Sequence, residues 1–424
     1  MYAREVLRNG TRLLSVPSRD TRALTLLALV EVGSRHETLN AGGSAHFLEH
    51  MLFKGTERWK TARRMTRELD AVGADYNAFT SKEYTGYYIR VQADKAPLAI
   101  DMLHEMIAKP LFKASEIERE RGVILEEIAM YEDMPSAHAA ELLDGLLYTC
   151  PLGRNIAGTR ATVSAMTRKR LVDFWKAHYL PERLVIAAAG DVTDGALDRI
   201  RATFGKIPKR KSRSRKVACG EMRKKGPHLS IGTRETEQVQ FAIGFPGLPY
   251  GHRLRPAMTV MATILGGGMS SRLFDEVREK RGLAYSIYAS ATSYGDAGDF
   301  TVHAGLAKKD AETGVRTIMH ELGKMARSGV SASELKRAKA YLGGKLVLGL
   351  ESTHELAEFY ARQELLSGRI RTVEDRIAAI EAVAAEDVRA VARRIFRTTG
   401  ISATLVGPFD DEARFKKLLK IPYV

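Results

Sequence analysis

Two histidines four residues apart, with a glutamate between them, stand in the run His46-Phe47-Leu48-Glu49-His50. Residues three and four apart share one face of a helix. Two neutral imidazoles on successive turns can hold one Zn²⁺, and a carboxylate beside them can take a proton from metal-bound water. The order His-x-x-Glu-His inverts the commoner His-Glu-x-x-His zinc-protease helix. The bland alternative is a surface helix that happens to carry two histidines.

A zinc site of this kind needs a third protein ligand. The run Glu120-Arg121-Gly122-Val123-Ile124-Leu125-Glu126-Glu127 begins 70 residues after His50. Ile117, Val123, Ile124 and Ile128 form an apolar stripe that predicts a helix. Glu120 and Glu127 are two turns apart and share a face, whereas Glu126 lies about 100° round the axis from Glu127. Only one of Glu126 and Glu127 can point at a given metal, and Glu127 alone has a partner seven residues before it.

These residues resemble the pitrilysin and insulinase family, which includes the subunits of the mitochondrial processing peptidase. In that family a ligand glutamate follows the inverted motif at this distance, and a second glutamate seven residues before it supports the site. The resemblance implies that His46, His50 and Glu127 hold one Zn²⁺ per chain, with Glu120 in support. It also implies a zinc metalloendopeptidase with Glu49 as general base. A silent scaffold subunit is the alternative within the family, although such chains usually lose motif residues and here all are present.

Two more segments carry the resemblance. Asn77, Ala78, Phe79 and Thr80 look like the family's edge strand, on which substrate lies as an added β-strand held by main-chain hydrogen bonds. Read alone, they are an ordinary strand. Gly266-Gly267-Gly268-Met269-Ser270-Ser271 lacks both the P-loop and the dinucleotide fingerprints. It resembles the loop and helix of the family's second domain, where an Arg and a Tyr seven apart reach the substrate. Arg278 and Tyr285 have that spacing. Their implied role is to bind the substrate backbone and the developing oxyanion.

The elements that must position these groups fall into two halves. With 424 residues the chain exceeds one ordinary core and suits two domains. Gly190 and Gly407 lie 217 residues apart, each ahead of a helix ending in Lys-Ile-Pro, and those triplets are 214 apart. Ser115-Glu116 and Ser333-Glu334 are offset by 218. A nearly constant offset predicts duplicated domains, 1–208 and 229–424, joined by a basic linker over 209–228. At the 218 offset Glu127 falls on Lys345 and Glu120 on Ala338, so only the first domain carries the metal. Strands are predicted at 24–32, 84–91, 184–189, 239–245, 299–305 and 401–406. Helices are predicted at 45–52, 61–72, 95–108, 115–131, 310–328 and 333–350. The class is α+β. The resemblance adds that each domain is an α/β sandwich with a mixed, mostly antiparallel sheet and helices on one side, together forming half of a clamshell.

The net charge of +15 raises nucleic-acid binding, but residues 206–225 alone hold ten Lys or Arg against one Glu. That stretch has no aromatic residue to stack a base and reads as a solvated linker. No apolar run nears the length of a membrane span. Cys150 and Cys219 are read as structural or incidental in a reduced, cytoplasmic chain. The expected partners are peptide substrates and a second chain. With two domains where the long family members have four, a homodimer is expected, or a heterodimer with a related chain, and neither nucleic acid nor membrane.

Overall fold

The computed structural model describes residues 2–18, 20–210, 218–219 and 226–422. Most of the predicted basic linker, 211–217 and 220–225, lies outside the described residues. Two compact units form, each around its own sheet.

The first unit holds β1 (Ala3–Val6), β2 (Arg12–Pro17), β3 (Ala23–Val30), β4 (Asp75–Thr80), β5 (Thr85–Gln92) and β6 (Leu184–Gly190). Their order in the sheet is β1-β2-β6-β3-β5-β4, with only β2 and β6 parallel. Strand β3, Ala-Leu-Thr-Leu-Leu-Ala-Leu-Val, is apolar on both faces because both are covered. Leu24, Leu26, Ala28 and Val30 pack with Phe47, Leu48, Ile100 and Leu103 from the helices Ser44–Leu52 and Ala96–Ala108. Leu27 and Leu29 pack with Ala357, Tyr360, Ala361 and Leu365 of the helix Thr353–Ser367. Strand β4 is one of the two outer strands, and it lies against the helix Ser44–Leu52.

The second unit holds β7 (His228–Thr233), β8 (Gln238–Pro246), β9 (Ala284–Ser293), β10 (Gly298–Ala307) and β11 (Ser402–Gly407), in the order β7-β11-β8-β10-β9. Phe241, Ile243, Phe245, Phe300, Val302 and Phe396 anchor its main core with the helices Arg255–Gly266, Ala311–Ser328 and Ala385–Ile395. The helix Pro135–Leu147 covers the other face, where Gly244 leaves room for Leu147. Thr404 donates a hydrogen bond to the carbonyl of Ala139 at 2.8 Å.

The α+β class with two mixed sheets is as expected, but the units are not the two halves of the sequence. Residues 130–153 belong to the second unit and residues 348–370 to the first. The division at 208 and 229 is corrected accordingly: each half lends one helix to the other half's sheet, adding a layer beyond the one-sided packing. An amphipathic helix states that it must bury a face, not which sheet it covers.

The two cysteines, read as structural or incidental, are structural. Cys150 and Cys219 are bonded across 69 residues of sequence, with Cα atoms 5.3 Å apart. Both belong to the second unit, a proximity created by the exchanged segment. A disulfide removes the support that the cysteines gave to a reduced compartment. No helix among the described residues is long and apolar enough to cross a membrane.

Candidate metal centre

Helix Ser44–Leu52 carries the motif and buries its apolar face: Ala45, Phe47, Leu48, Met51 and Leu52 are all at or below 1% exposure. That packing turns His46 and His50 to one side, 4.7 Å apart between ring centroids. The helix starts at Gly43, whose left-handed backbone (φ 86°) suits glycine. A side chain there would also meet the carbonyl oxygen of Ala157 at 2.5 Å.

The third group comes from the helix Ala114–Asp133. Its buried residues are Ile117, Glu120, Ile124 and Ile128. Val123, expected in the stripe, is 48% exposed, and Glu120 takes the buried place instead. A carboxylate inside an apolar stripe is itself a signal, because buried charges need partners. Glu120 has two. Its Oε2 lies 3.1 Å from His50 Nδ1 and its Oε1 lies 2.7 Å from Lys54 Nζ. Burial pushes the Glu120 carboxyl up, but the hydrogen bonds from His50 and Lys54 prevail and hold it below its ordinary value. Lys54, one turn beyond His50, is a participant that the sequence reading missed.

Glu127 Oε2 stands 3.5 Å from His46 Nε2 and 3.6 Å from His50 Nε2. One ligand atom from each of His46, His50 and Glu127 lies within 4.8 Å of the others, a group able to hold a metal ion. Glu126 is exposed and has no place in that group. The donor set suits zinc. Burial, reinforced by the neighbouring His50, lowers the His46 pKa to about 4, so this imidazole is neutral at neutral pH, as a ligand must be. The hydrogen bond to Glu120 fixes the His50 ring with Nε2 toward Glu127.

Glu49 lies beside this cluster. Thr80 Oγ1 donates to Glu49 Oε2 at 2.6 Å, tying the outer end of β4 to the motif helix. Burial raises the Glu49 carboxyl, opposed by the Thr80 hydroxyl and by His50. The four residues of the expected substrate strand therefore differ in their surroundings. Thr80 holds Glu49, Phe79 packs its ring over Gly86 and edge-on to Tyr84, and Asn77 accepts the Ala78 amide at 2.8 Å.

In the second unit the Arg278 guanidinium sits 4.8 Å from the Phe274 ring centroid and 5.3 Å from that of Tyr285. Tyr285 is 72% exposed and belongs to β9, one of the two outer strands of its sheet. Arg278 lies in a π-helical turn, Phe274–Glu279, a geometry that recurs at functional sites. Of the three glycines, Gly266 has a packing reason: a Cβ there would lie 2.2 Å from the Ala289 amide nitrogen of β9.

Known proteins resemble this chain in sequence and in fold. Residues 12–160 match the family described as insulinase (peptidase family M16), and residues 165–342 match the peptidase M16 inactive domain. A protein of Streptomyces coelicolor named an uncharacterized zinc protease is 40% identical over 96% of this chain and 90% of its own length. An uncharacterized zinc protease of Bacillus subtilis is 36% identical over 96% of this chain and 98% of its own. Among solved structures, a protease from Helicobacter pylori superposes with a TM-score of 0.89 at 22% identity, covering 96% of this chain and 99% of that one. A peptidase M16 inactive domain from Pseudomonas fluorescens gives 0.89 at 22%, covering 97% and 98%. The chain belongs to the insulinase family, peptidase family M16, in the short form that its bacterial relatives share.

Proposed function

We propose that this chain is a zinc-dependent endopeptidase that cuts extended, unfolded peptides. The observation that carries the reading is the convergence of His46, His50 and Glu127 within 4.8 Å, with the Glu49 carboxylate at its side. His46, His50 and Glu127 would hold the zinc, which when bound would supply Lewis acidity to water and to the scissile carbonyl. Glu49 accepts the proton of the attacking water and delivers it to the leaving amine. Thr80 keeps that carboxylate oriented between the two transfers, and Glu120 keeps the His50 ring in its tautomer.

The free edge of β4 receives the substrate as an additional strand through Asn77, Ala78, Phe79 and Thr80. Main-chain hydrogen bonds of this kind select an extended backbone rather than a sequence. The working form is a dimer, a homodimer on the simplest reading. Arg278 and Tyr285 of one chain face the metal site of its partner, donating to the carbonyl oxygen as negative charge develops. Exposure of Tyr285 beside Arg278 on an outer strand supports that role.

Strand addition requires a backbone free of its own secondary structure. A stably folded protein is therefore expected to survive incubation, while its unfolded counterpart, for instance a reduced and alkylated form, is cut at least about tenfold faster. A chelator should stop the cleavage. Equal rates on the two forms would remove the strand-addition reading.

A further inference from the structure

The two histidines of the motif are held differently. His50 has Glu120 on its Nδ1. His46 has no counterpart: its Nδ1 is buried without a hydrogen-bond partner among the described residues. The His46 ring therefore depends on packing and on the backbone that carries it. That backbone is the first turn of the helix Ser44–Leu52, whose starting residue, Gly43, has no side chain to cap it. Ser44 does not cap it either, since its hydroxyl donates to the carbonyl of Ala41 at 2.7 Å. The free amides of the turn go instead to a distant residue. The Gly43 amide donates to Glu37 Oε2 at 2.9 Å, and the Ala45 amide donates to Glu37 Oε1 at 2.7 Å.

Glu37 is built into a rigid frame. It is 3% exposed. Its carbonyl oxygen accepts from Arg154 Nη1 at 2.6 Å, and the Arg154 carbonyl in turn accepts from Lys82 Nζ at 2.7 Å. Its own amide donates to the Ser34 carbonyl at 3.3 Å. Burial pushes the Glu37 carboxyl up to about 8, opposed by the Ala45 and Gly43 amides and by nearby Arg154 and Lys82; both of its oxygens accept an amide at the positive end of the helix dipole, and that geometry holds the turn. Both oxygens hold amides within the three residues before His46, so Glu37 anchors the turn that carries that imidazole.

We propose that Glu37 is a positioning residue for the metal centre, fixing His46 through the amides of Gly43 and Ala45 as Glu120 fixes His50 through its ring. The inference rests on the zinc reading above. It gives Glu37 a task other than stability, because loss of such outer supports typically weakens a metal site about 10- to 100-fold.

The test uses the full chain with Glu37→Ala, Glu37→Gln and, as a control, Thr193→Ala. Thr193 Oγ1 accepts from the Ala196 amide at the start of the helix Asp194–Phe204. Its loss should lower thermal stability without touching the metal. Zinc affinity is measured by competition with a chromophoric chelator, and coordination by the visible absorption of the Co²⁺-loaded chain. Glu37→Ala should bind zinc about 10- to 100-fold more weakly, with an altered Co²⁺ spectrum. Glu37→Gln keeps one of two acceptors and should fall between it and the wild type. Thr193→Ala should match the wild type in both readouts. A folded Glu37→Ala with wild-type affinity and spectrum overturns the proposal. If Glu37→Ala does not fold, the same criteria applied to Glu37→Gln decide it. A wild-type chain without zinc affinity overturns the zinc reading itself, whereas zinc bound equally by wild type and variants overturns only the role of Glu37.

Discussion

Replacing Glu49 by glutamine should leave the metal in place and lower kcat by about 10²- to 10⁴-fold, the range that a positioned general base contributes. The amide matches the carboxylate in size and can still accept the Thr80 hydroxyl hydrogen bond that Glu49 Oε2 now receives. It cannot accept a proton from water. Glu49 also lies outside the group that converges on the metal position, so zinc content should be unchanged. Steady-state kinetics on an unfolded polypeptide, with metal analysis of the same sample, checks both halves of the expectation. Full activity with the glutamine in place would remove the assigned base.

The second large effect concerns assembly. A Glu49→Gln chain and an Arg278→Ala/Tyr285→Phe chain should each be nearly inactive. The first lacks its base, and the second lacks donors to the oxyanion, a loss of about 10²- to 10³-fold. If those donors act across a dimer, mixing the two under conditions of subunit exchange creates heterodimers. Each heterodimer holds one site in which the intact metal chemistry of one chain meets the intact Arg278 and Tyr285 of the other. Activity should return to about half of the wild-type value per heterodimer if the two sites are independent. Exchange without recovery would mean that Arg278 and Tyr285 act within their own chain or not at all. A strictly monomeric, active enzyme would also contradict the arrangement.

The sequence was most informative where chemistry forced a residue type into a fixed spacing. The i, i+4 histidines predicted a helix at 45–52, and the structure has Ser44–Leu52 with both rings on one side. The seven-residue relation of Glu120 to Glu127 holds because seven residues make about two turns of the helix Ala114–Asp133, which keeps both toward the motif. The choice between Glu126 and Glu127, open on the residues alone, is made by the apolar stripe. Burial of Ile117, Ile124 and Ile128 turns Glu126 outward. Reading Val123 into that stripe concealed the buried position of Glu120.

Long-range pairings were not legible. Nothing in Pro135–Leu147 or Thr353–Ser367 states which sheet each will cover, and the Cys150–Cys219 bond depends on the first of those choices. Glu37, Lys54 and Thr80 reach the site through contacts between residues distant in sequence or through backbone amides. No spacing rule encodes such contacts. A glycine at the start of a helix that lacks a capping side chain is the one trace that Glu37 left in the sequence.

His46, His50 and Glu127 are expected to hold one zinc ion per chain. The most direct measurement is the zinc content of purified wild-type, Glu127→Gln and Glu126→Gln chains after dialysis against a weak chelator. One zinc per chain is expected in the wild type and in Glu126→Gln, and loss of most of it in Glu127→Gln. A wild-type chain without zinc, or equal retention by both variants, would contradict that expectation.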